Sequence, residues 1–174
     1  MKDLMIDIET LGTTKDAVVT QIGAVFFDRY TGKLGDQLLL NIQIQDCLDK
    51  GLKVDAGALK FWFDQTGRSF LKNPIELQTS LDYLRKFYKK GEKNTLVWAH
   101  ATFDFPILAN AYEVIEQGFV FPYKNLRDIR TLVDLSKLDH RKGKSGDPKT
   151  HDALEDCIYQ VKYCTEAFKK IYGH

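Results

Sequence analysis

The hydrophobic pattern of the chain changes period once, near residue 50, and that change limits the fold more than any other feature. Before it, apolar residues fall in short extended runs. Leu4-Met-Ile-Asp-Ile-Glu9 suits a buried strand, Val18 to Asp28 a second and Gln37 to Ile44 a third, with a turn signal at Tyr30-Thr-Gly-Lys33. After it the spacing is near that of a helix. Asp55 to Gln65 reads as a helix capped by Asp55, and Pro74 to Lys90 as a second, with Leu77, Leu81, Leu84 and Tyr88 on one face. Leu96-Val-Trp-Ala99 predicts a short strand leading into a helix from Phe103 to Gln117, with Pro106 in its first turn. Asn125 to Ile129 predicts a fifth strand, followed by a short helix through Leu138 and a Gly- and Lys-rich loop from His140 to Thr150. The last helix carries Leu154, Cys157, Ile158, Val161, Cys164, Phe168 and Ile171 at helical spacing. Three strands, then helices, then alternating strand and helix predict a mixed α/β sheet covered by helices, in one domain over residues 1–174.

At 174 residues and 20.0 kDa the chain can bury a sizeable core without disulfides. Its 44% apolar content argues against intrinsic disorder. The 25 basic and 24 acidic residues leave a formal charge of +1, which excludes a uniformly basic nucleic-acid glove. Met1-Lys-Asp3 runs into a strand rather than a signal-peptide core, and no stretch reaches membrane-spanning length. The three cysteines, Cys47, Cys157 and Cys164, form no CxxC pair; Cys157 and Cys164 share one helical face and read as small apolar core residues. A reduced cytoplasmic setting, with no membrane partner, is the expectation.

The acids break the apolar pattern at three places. Asp7 and Glu9 are two apart on the first strand, so both point to one face. Paired carboxylates repel each other and favour a nearby cation, and hard divalent ions such as Mg²⁺ match oxygen ligands. Solvated acids at a strand end would look the same. Asp104, in Trp98-Ala-His-Ala-Thr-Phe-Asp-Phe-Pro-Ile-Leu108, reads either as a helix N-cap or as a ligand at a strand-to-helix junction. In His151-Asp-Ala-Leu-Glu-Asp156, two helical residues five apart would differ by about 140° around the axis. Asp152 and Glu155 resemble a capping pair, however, which puts His151 just outside the helix and lets it swing toward a site that Asp156 faces. The alternative is an exposed histidine before a surface helix.

Asp-x-Glu on a first strand, Phe-Asp at a later junction and His-x4-Asp on a last helix occur here in chain order. The combination resembles the DEDDh exonucleases, the DnaQ-like 3′–5′ exonuclease family: Asp7-Ile-Glu9-Thr10 matches the first motif, Phe103-Asp104 the second and His151 to Asp156 the third. The resemblance spans essentially the whole chain. Asp55-Ala-Gly-Ala-Leu-Lys-Phe-Trp-Phe-Asp-Gln65 is similar to a helix with paired aromatics and a following Gln in the branch of phage DexA-type exonucleases and related bacterial exoribonucleases, with Phe61 in place of one tryptophan. A His-Asn pair often precedes the second motif in the family; here His100 precedes Ala101.

The resemblance implies a ribonuclease-H-like α/β fold, a mixed five-stranded sheet with helices on both faces. It implies a metal-dependent 3′–5′ exonuclease that releases nucleoside 5′-monophosphates from the 3′ end of nucleic acid. Asp7, Glu9, Asp104 and Asp156 would hold two Mg²⁺ or Mn²⁺ ions about 4 Å apart, with Asp7 binding both. His151 would act as general base toward the attacking water. Thr10, Leu11 and Gly12 would lie beside the scissile nucleotide, and Phe103 would stack on or wedge against a base. Trp62 and Gln65 are further candidates, although Phe61, Trp62 and Phe63 read equally as core. Asp128 reads as a cap or a support for the ligands, and Arg141-Lys-Gly-Lys144 with Lys149 as a phosphate contact or a solvated loop. The implied partner is a single-stranded or frayed 3′ end of RNA or DNA, and a homodimer is compatible with the resemblance. The competing readings are a polymerase-associated proofreading exonuclease, a catalytically inactive nucleic-acid-binding module on the same fold, and an α/β domain whose acids are unrelated caps.

The charge balance then takes on another meaning. Residues 123–149 carry eight Lys or Arg and four Asp, about +4, so the remainder is about −3. Four ligand acids counted without their ions hide a basic surface, and nucleic-acid binding is expected to be metal-dependent.

Overall fold

The first strand, β1 (Asp3–Thr10), lies at the centre of the sheet with neighbours on both sides. The computed structural model describes residues 1–65, 69–138 and 151–173. β2 (Val19–Phe27) pairs antiparallel with β1, and β3 (Leu34–Asn41) continues the meander. On the other side β4 (Leu96–Ala99) pairs parallel with β1, and β5 (Leu126–Asp128) pairs parallel with β4. The order is β3-β2-β1-β4-β5, the mixed five-stranded sheet expected from the sequence.

Alternation along β1 divides the molecule into two cores. Leu4, Ile6 and Ile8 pack with Leu81 and Leu84 of α3 (Leu77–Tyr88) and with Ile107 and Leu108 of α4 (Asp104–Glu113). On the opposite face Met5 joins Val25, Phe27 and Trp98 against α5 (Ile129–Ser136) and α6 (Ala153–Tyr172). Helices therefore cover both faces. Cys157 and Cys164 are buried on the sheet side of α6, as expected of small apolar residues, and Cys47 is buried in the other core. Among the described residues no helix is long and apolar enough to cross a membrane.

Element boundaries differ where tertiary bonds override local pattern. The third strand ends at Asn41, and Ile44–Asp49 is a short helix, α1, rather than a strand end. Six residues are too few to display a helical period. What holds α1 is Cys47 in the core and Asp46, which pairs with Lys50 and accepts from Leu77 N at 2.8 Å. The second long helix starts at Leu77 and not at Pro74, because Ile75 is extended: its N–H donates to Asn41 O and its carbonyl accepts from Gln43 N, both at 2.9 Å. Helix α2 (Ala56–Phe63) is capped by Asp55 as predicted, with Ala58 N donating to its carboxylate at 3.0 Å. Helix α4 stops at Glu113, four residues short of the expected end.

One glycine fixes where α6 begins. Gly23 lies opposite Asp7 in the β1–β2 ladder, and a Cβ there would fall 2.2 Å from Ala153 O. No side chain can occupy that position while α6 keeps its place. Beside it Gln21, opposite Glu9 and fully buried, accepts from Ala153 N at 2.7 Å and donates to Asn41 Oδ1 at 2.7 Å. Gly23→Ala is therefore expected to destabilise the protein by ~1–3 kcal/mol through overpacking. Gly118→Ala, at a position with nothing near the added carbon, is the matched control. Thermal unfolding of both variants checks this; equal melting temperatures would be the contrary result.

Candidate active site

Asp7 and Glu9 lie on the face of β1 that meets α6, near the C-terminal end of the strand. Asp7 is 8% exposed, and Gln160 of α6 donates Nε2–H to its Oδ1 at 2.6 Å. Asp104 enters from the junction after β4. It is the first helical residue of α4 rather than its N-cap; Phe103 holds the cap position, and the Asp104 carboxylate accepts from His100 N at 2.8 Å. At 1% exposure this acid is held by backbone N–H groups and not by solvent.

Helix α6 brings the remaining two groups. Asp152 is its N-cap, accepting from Leu154 N at 3.1 Å and Glu155 N at 3.3 Å, so His151 is outside the helix as the capping pair predicted. His151 has φ +44°, a left-handed conformation that costs energy for a residue with a Cβ. The ring stands edge-on to Phe61 at 4.9 Å and to Trp62 at 5.7 Å between centroids. Ser69 Oγ donates to Asp152 Oδ2 at 2.8 Å and accepts from Gln21 Nε2 at 3.1 Å, tying this corner back to β2.

The result is two adjoining groups. Glu9, His151 and Asp156 each offer a ligand atom within 4.8 Å of the others, and so do Asp7, His100 and Asp104. The four acids and the histidine singled out in the sequence all fall within these two groups. His100 joins them from a position that sequence left without a role.

This much negative charge away from water is costly. Burial, reinforced by Asp104, Glu9 and Asp156, raises the Asp7 pKa well above its ordinary value, opposed by the Gln160 hydrogen bond. Burial and then the charges of Asp156, Asp104 and Asp152 push Glu9 up to about 8. Burial pushes Asp104 up to about 7, against the lowering effect of backbone donors from His100 and Ile8. Groups that cannot all ionise alone, all with hard oxygen donors and converging on one space, fit divalent cations. The buried Oε1 of Gln160, which has no hydrogen-bond partner, is a further polar atom left unsatisfied beside Asp7.

The remaining candidates fall into place unevenly. Thr10, Leu11 and Gly12 are buried. Thr10 Oγ1 donates to Gly12 O at 2.6 Å, and Leu11 bonds through its N–H to Val18 O and through its carbonyl to Asp55 N. Trp62 is 5% exposed, packs on Phe70 and donates its indole N–H to Thr10 O at 2.9 Å. It thus braces the strand end that carries Glu9. Phe103 is half-buried against the larger core, and Phe61 is exposed beside His151. Gln65 Nε2 donates to Phe61 O at 3.2 Å. Asp128 caps α5, accepting from Thr131 N and Oγ1, and also accepts from Ala101 N at 3.0 Å. The basic segment Arg141–Lys144 with Lys149 is outside the described residues. Sequence reasoning missed Gln21, Gly23, Gln160 and Tyr163. The first two left a signal, since a Gln and a Gly interrupt a β2 that is otherwise mostly apolar.

A family model describing the 3′-5′ exoribonuclease Rv2179c-like domain matches residues 2–168. The chain belongs to that family. No curated protein matches it. Among solved structures, an exonuclease I superposes with a TM-score of 0.71 at 13% identity, over 99% of this chain. The chain spans only 43% of that protein. A 3′-exonuclease described as recognising the 3′ end of a histone mRNA stem-loop gives 0.70 at 11% identity, covering 96% of this chain and 81% of the other. The nuclease domain of 3′hExo, a DEDDh family member bound to rAMP, gives 0.67 at 10% identity, covering 96% and 91%. These likenesses establish the ribonuclease-H-like exonuclease fold. The family match makes the chain a 3′–5′ exonuclease-type hydrolase.

The raised carboxylates carry a pH signature with a definite sign. In the unfolded chain Glu9 and Asp104 ionise near 4.5 and 3.8, in the folded metal-free protein near 8 and 7. Between those limits the folded state holds more protons, so its stability falls as pH rises. In EDTA the melting temperature is expected to decline from pH 5 to pH 8, and saturating Mg²⁺ to offset most of that decline at pH 8. A melting temperature in EDTA that stays level or rises across this range would contradict the account.

Proposed function

We propose that the protein is a metal-dependent 3′–5′ exoribonuclease, a single domain over residues 1–174 that removes nucleoside 5′-monophosphates from a single-stranded or frayed 3′ end. The observation that carries this reading is the convergence of Asp7, Glu9, Asp104 and Asp156 with His151 at one end of the sheet, in a member of an exoribonuclease family. RNA is favoured over DNA by that family's description.

Asp7, Glu9, Asp104 and Asp156 are the residues that would hold two Mg²⁺ or Mn²⁺ ions, Asp7 contributing to both. Bound there, the ions would supply charge neutralisation at the phosphate and lower the barrier to water attack. The chain's own residues do the rest. His151, held outside α6 by the Asp152 cap and flanked by Phe61 and Trp62, takes the proton from the attacking water through a ring nitrogen. It precedes the Asp152 cap, whereas Asp156 lies within the first turn of α6. Thr10, Leu11 and Gly12 form a bonded floor next to Glu9 on which the terminal nucleotide rests. Phe103, the residue before Asp104, would stack on or wedge against a base, and the Trp62 indole N–H holds Thr10 O in place. Three buried free cysteines suit a reduced, cytoplasmic setting.

Timed digestion of matched 5′-labelled RNA and DNA, single- and double-stranded, with Mg²⁺ or EDTA, tests the reading. Single-stranded RNA is expected to shorten stepwise from its 3′ end, faster than DNA, and EDTA to stop it. His151→Ala should lower turnover by about 10²-fold or more and keep metal binding. Asp7→Asn should lose both. Internal cleavage, or unchanged rates in both variants, would remove the proposal.

A further inference from the structure

The function proposed above uses four carboxylates and one histidine, and leaves unused a second imidazole that the fold brings to the same place. His100 follows directly on β4, with Nδ1 4.0 Å from Asp7 Oδ1. Asp7, His100 and Asp104 each present a ligand atom within 4.8 Å of the other two. Donors bound at about 2.2 Å to one divalent ion lie about 3.1 Å apart when cis and about 4.4 Å apart when trans, so small side-chain rotations would close these three on an ion. The ring's other nitrogen faces a partner as well: the hydroxyl of Tyr163, a buried residue of α6, is 3.5 Å from Nε2. One nitrogen directed at acids and the other at a hydrogen-bonding group is the arrangement that orients metal-binding histidines.

A second feature points to an occupant. Gln160 is 4% exposed, and its amide lies against Asp7, with Nε2 donating to Oδ1 at 2.6 Å. Its Oε1 has no hydrogen-bond partner. A buried acceptor left this way is costly, and a hydrated cation beside Asp7 would satisfy it.

We infer that Asp7, His100 and Asp104 form a mixed nitrogen–oxygen cation site that selects a transition-metal ion such as Mn²⁺ over Mg²⁺. The inference rests on the two-ion reading of the site and adds to it the ligand atom and the metal class of one ion. Carboxylate and water ligands alone suit Mg²⁺, whereas an imidazole ligand shifts preference along the first-row divalent series. The two ions would then differ in kind: one held through His100, the other among the acids beside His151.

The test uses the full chain, stripped of metal and loaded with Mn²⁺, and reads nitrogen hyperfine coupling by pulsed EPR. Wild type is expected to show coupling to a directly bound imidazole nitrogen, altered by ¹⁵N-histidine labelling. H100Q and H100N should lose it and H151Q keep it. Competition titration should show the Mn²⁺-over-Mg²⁺ preference falling about tenfold in H100Q. Labelled wild type decides the matter even should a variant fold poorly: bound Mn²⁺ without imidazole coupling overturns the inference while leaving the two-ion reading intact. Coupling that survives H100Q, or disappears in H151Q, overturns it in the same way. No Mn²⁺ binding together with digestion indifferent to EDTA would overturn both.

Discussion

Four carboxylates forced close together, two of them buried and two half-buried, are the constraint on which the rest of the structure depends. Asp7 and Glu9 share a face of the central strand because side chains alternate along it, and that face is otherwise apolar. Burial and then the neighbouring acids Asp156, Asp104 and Asp152 raise Glu9 to about 8, and burial alone raises Asp104 to about 7. A fold that maintains such a cluster holds it ready for positive charge.

The surrounding packing keeps the cluster from spreading. Gly23 opposite Asp7 lets the start of α6 rest on β2, and the buried amide of Gln21 fastens Ala153 there. Ser69 joins Gln21 to the Asp152 cap, and Trp62 braces Thr10 from below. Chain segments far apart in sequence thus meet within one site. On the other side of the same face Asp3 accepts from Arg29 Nε and Trp98 Nε1, both at 2.8 Å, so the strand's first acid is paired within the protein. The contrast is instructive: Asp3 has its cation in the chain, whereas Asp7 and Glu9 do not have a lysine or arginine partner of this kind among the described residues.

The parts of this design that repeat along the chain were legible in the sequence. The period change gave the sheet and its helices, and the acids stood out because they broke an apolar pattern. Asp55 and Asp152 were readable as caps since capping is a local bond to the next turn. What escaped notice acts across long separations. Gln160 looks like any polar residue on a helix until Asp7, 153 residues away, accepts its hydrogen bond. Gly23 looks like a weak strand position until α6 is laid over it. The helix at Ile44–Asp49 was hidden by its brevity, and Asp104 resembled a cap because the bond that defines it comes from His100, on the other side of the turn.

The central claim is that this cluster is completed by divalent cations in the space between β1 and α6. Anomalous scattering from a crystal of the Mn²⁺-loaded protein tests it most directly. The account predicts two peaks, one against Asp7 and Asp104 and one against Asp7, Glu9 and Asp156. A crystal soaked to saturation with no peak between β1 and α6, or with Mn²⁺ bound only elsewhere on the surface, would contradict it.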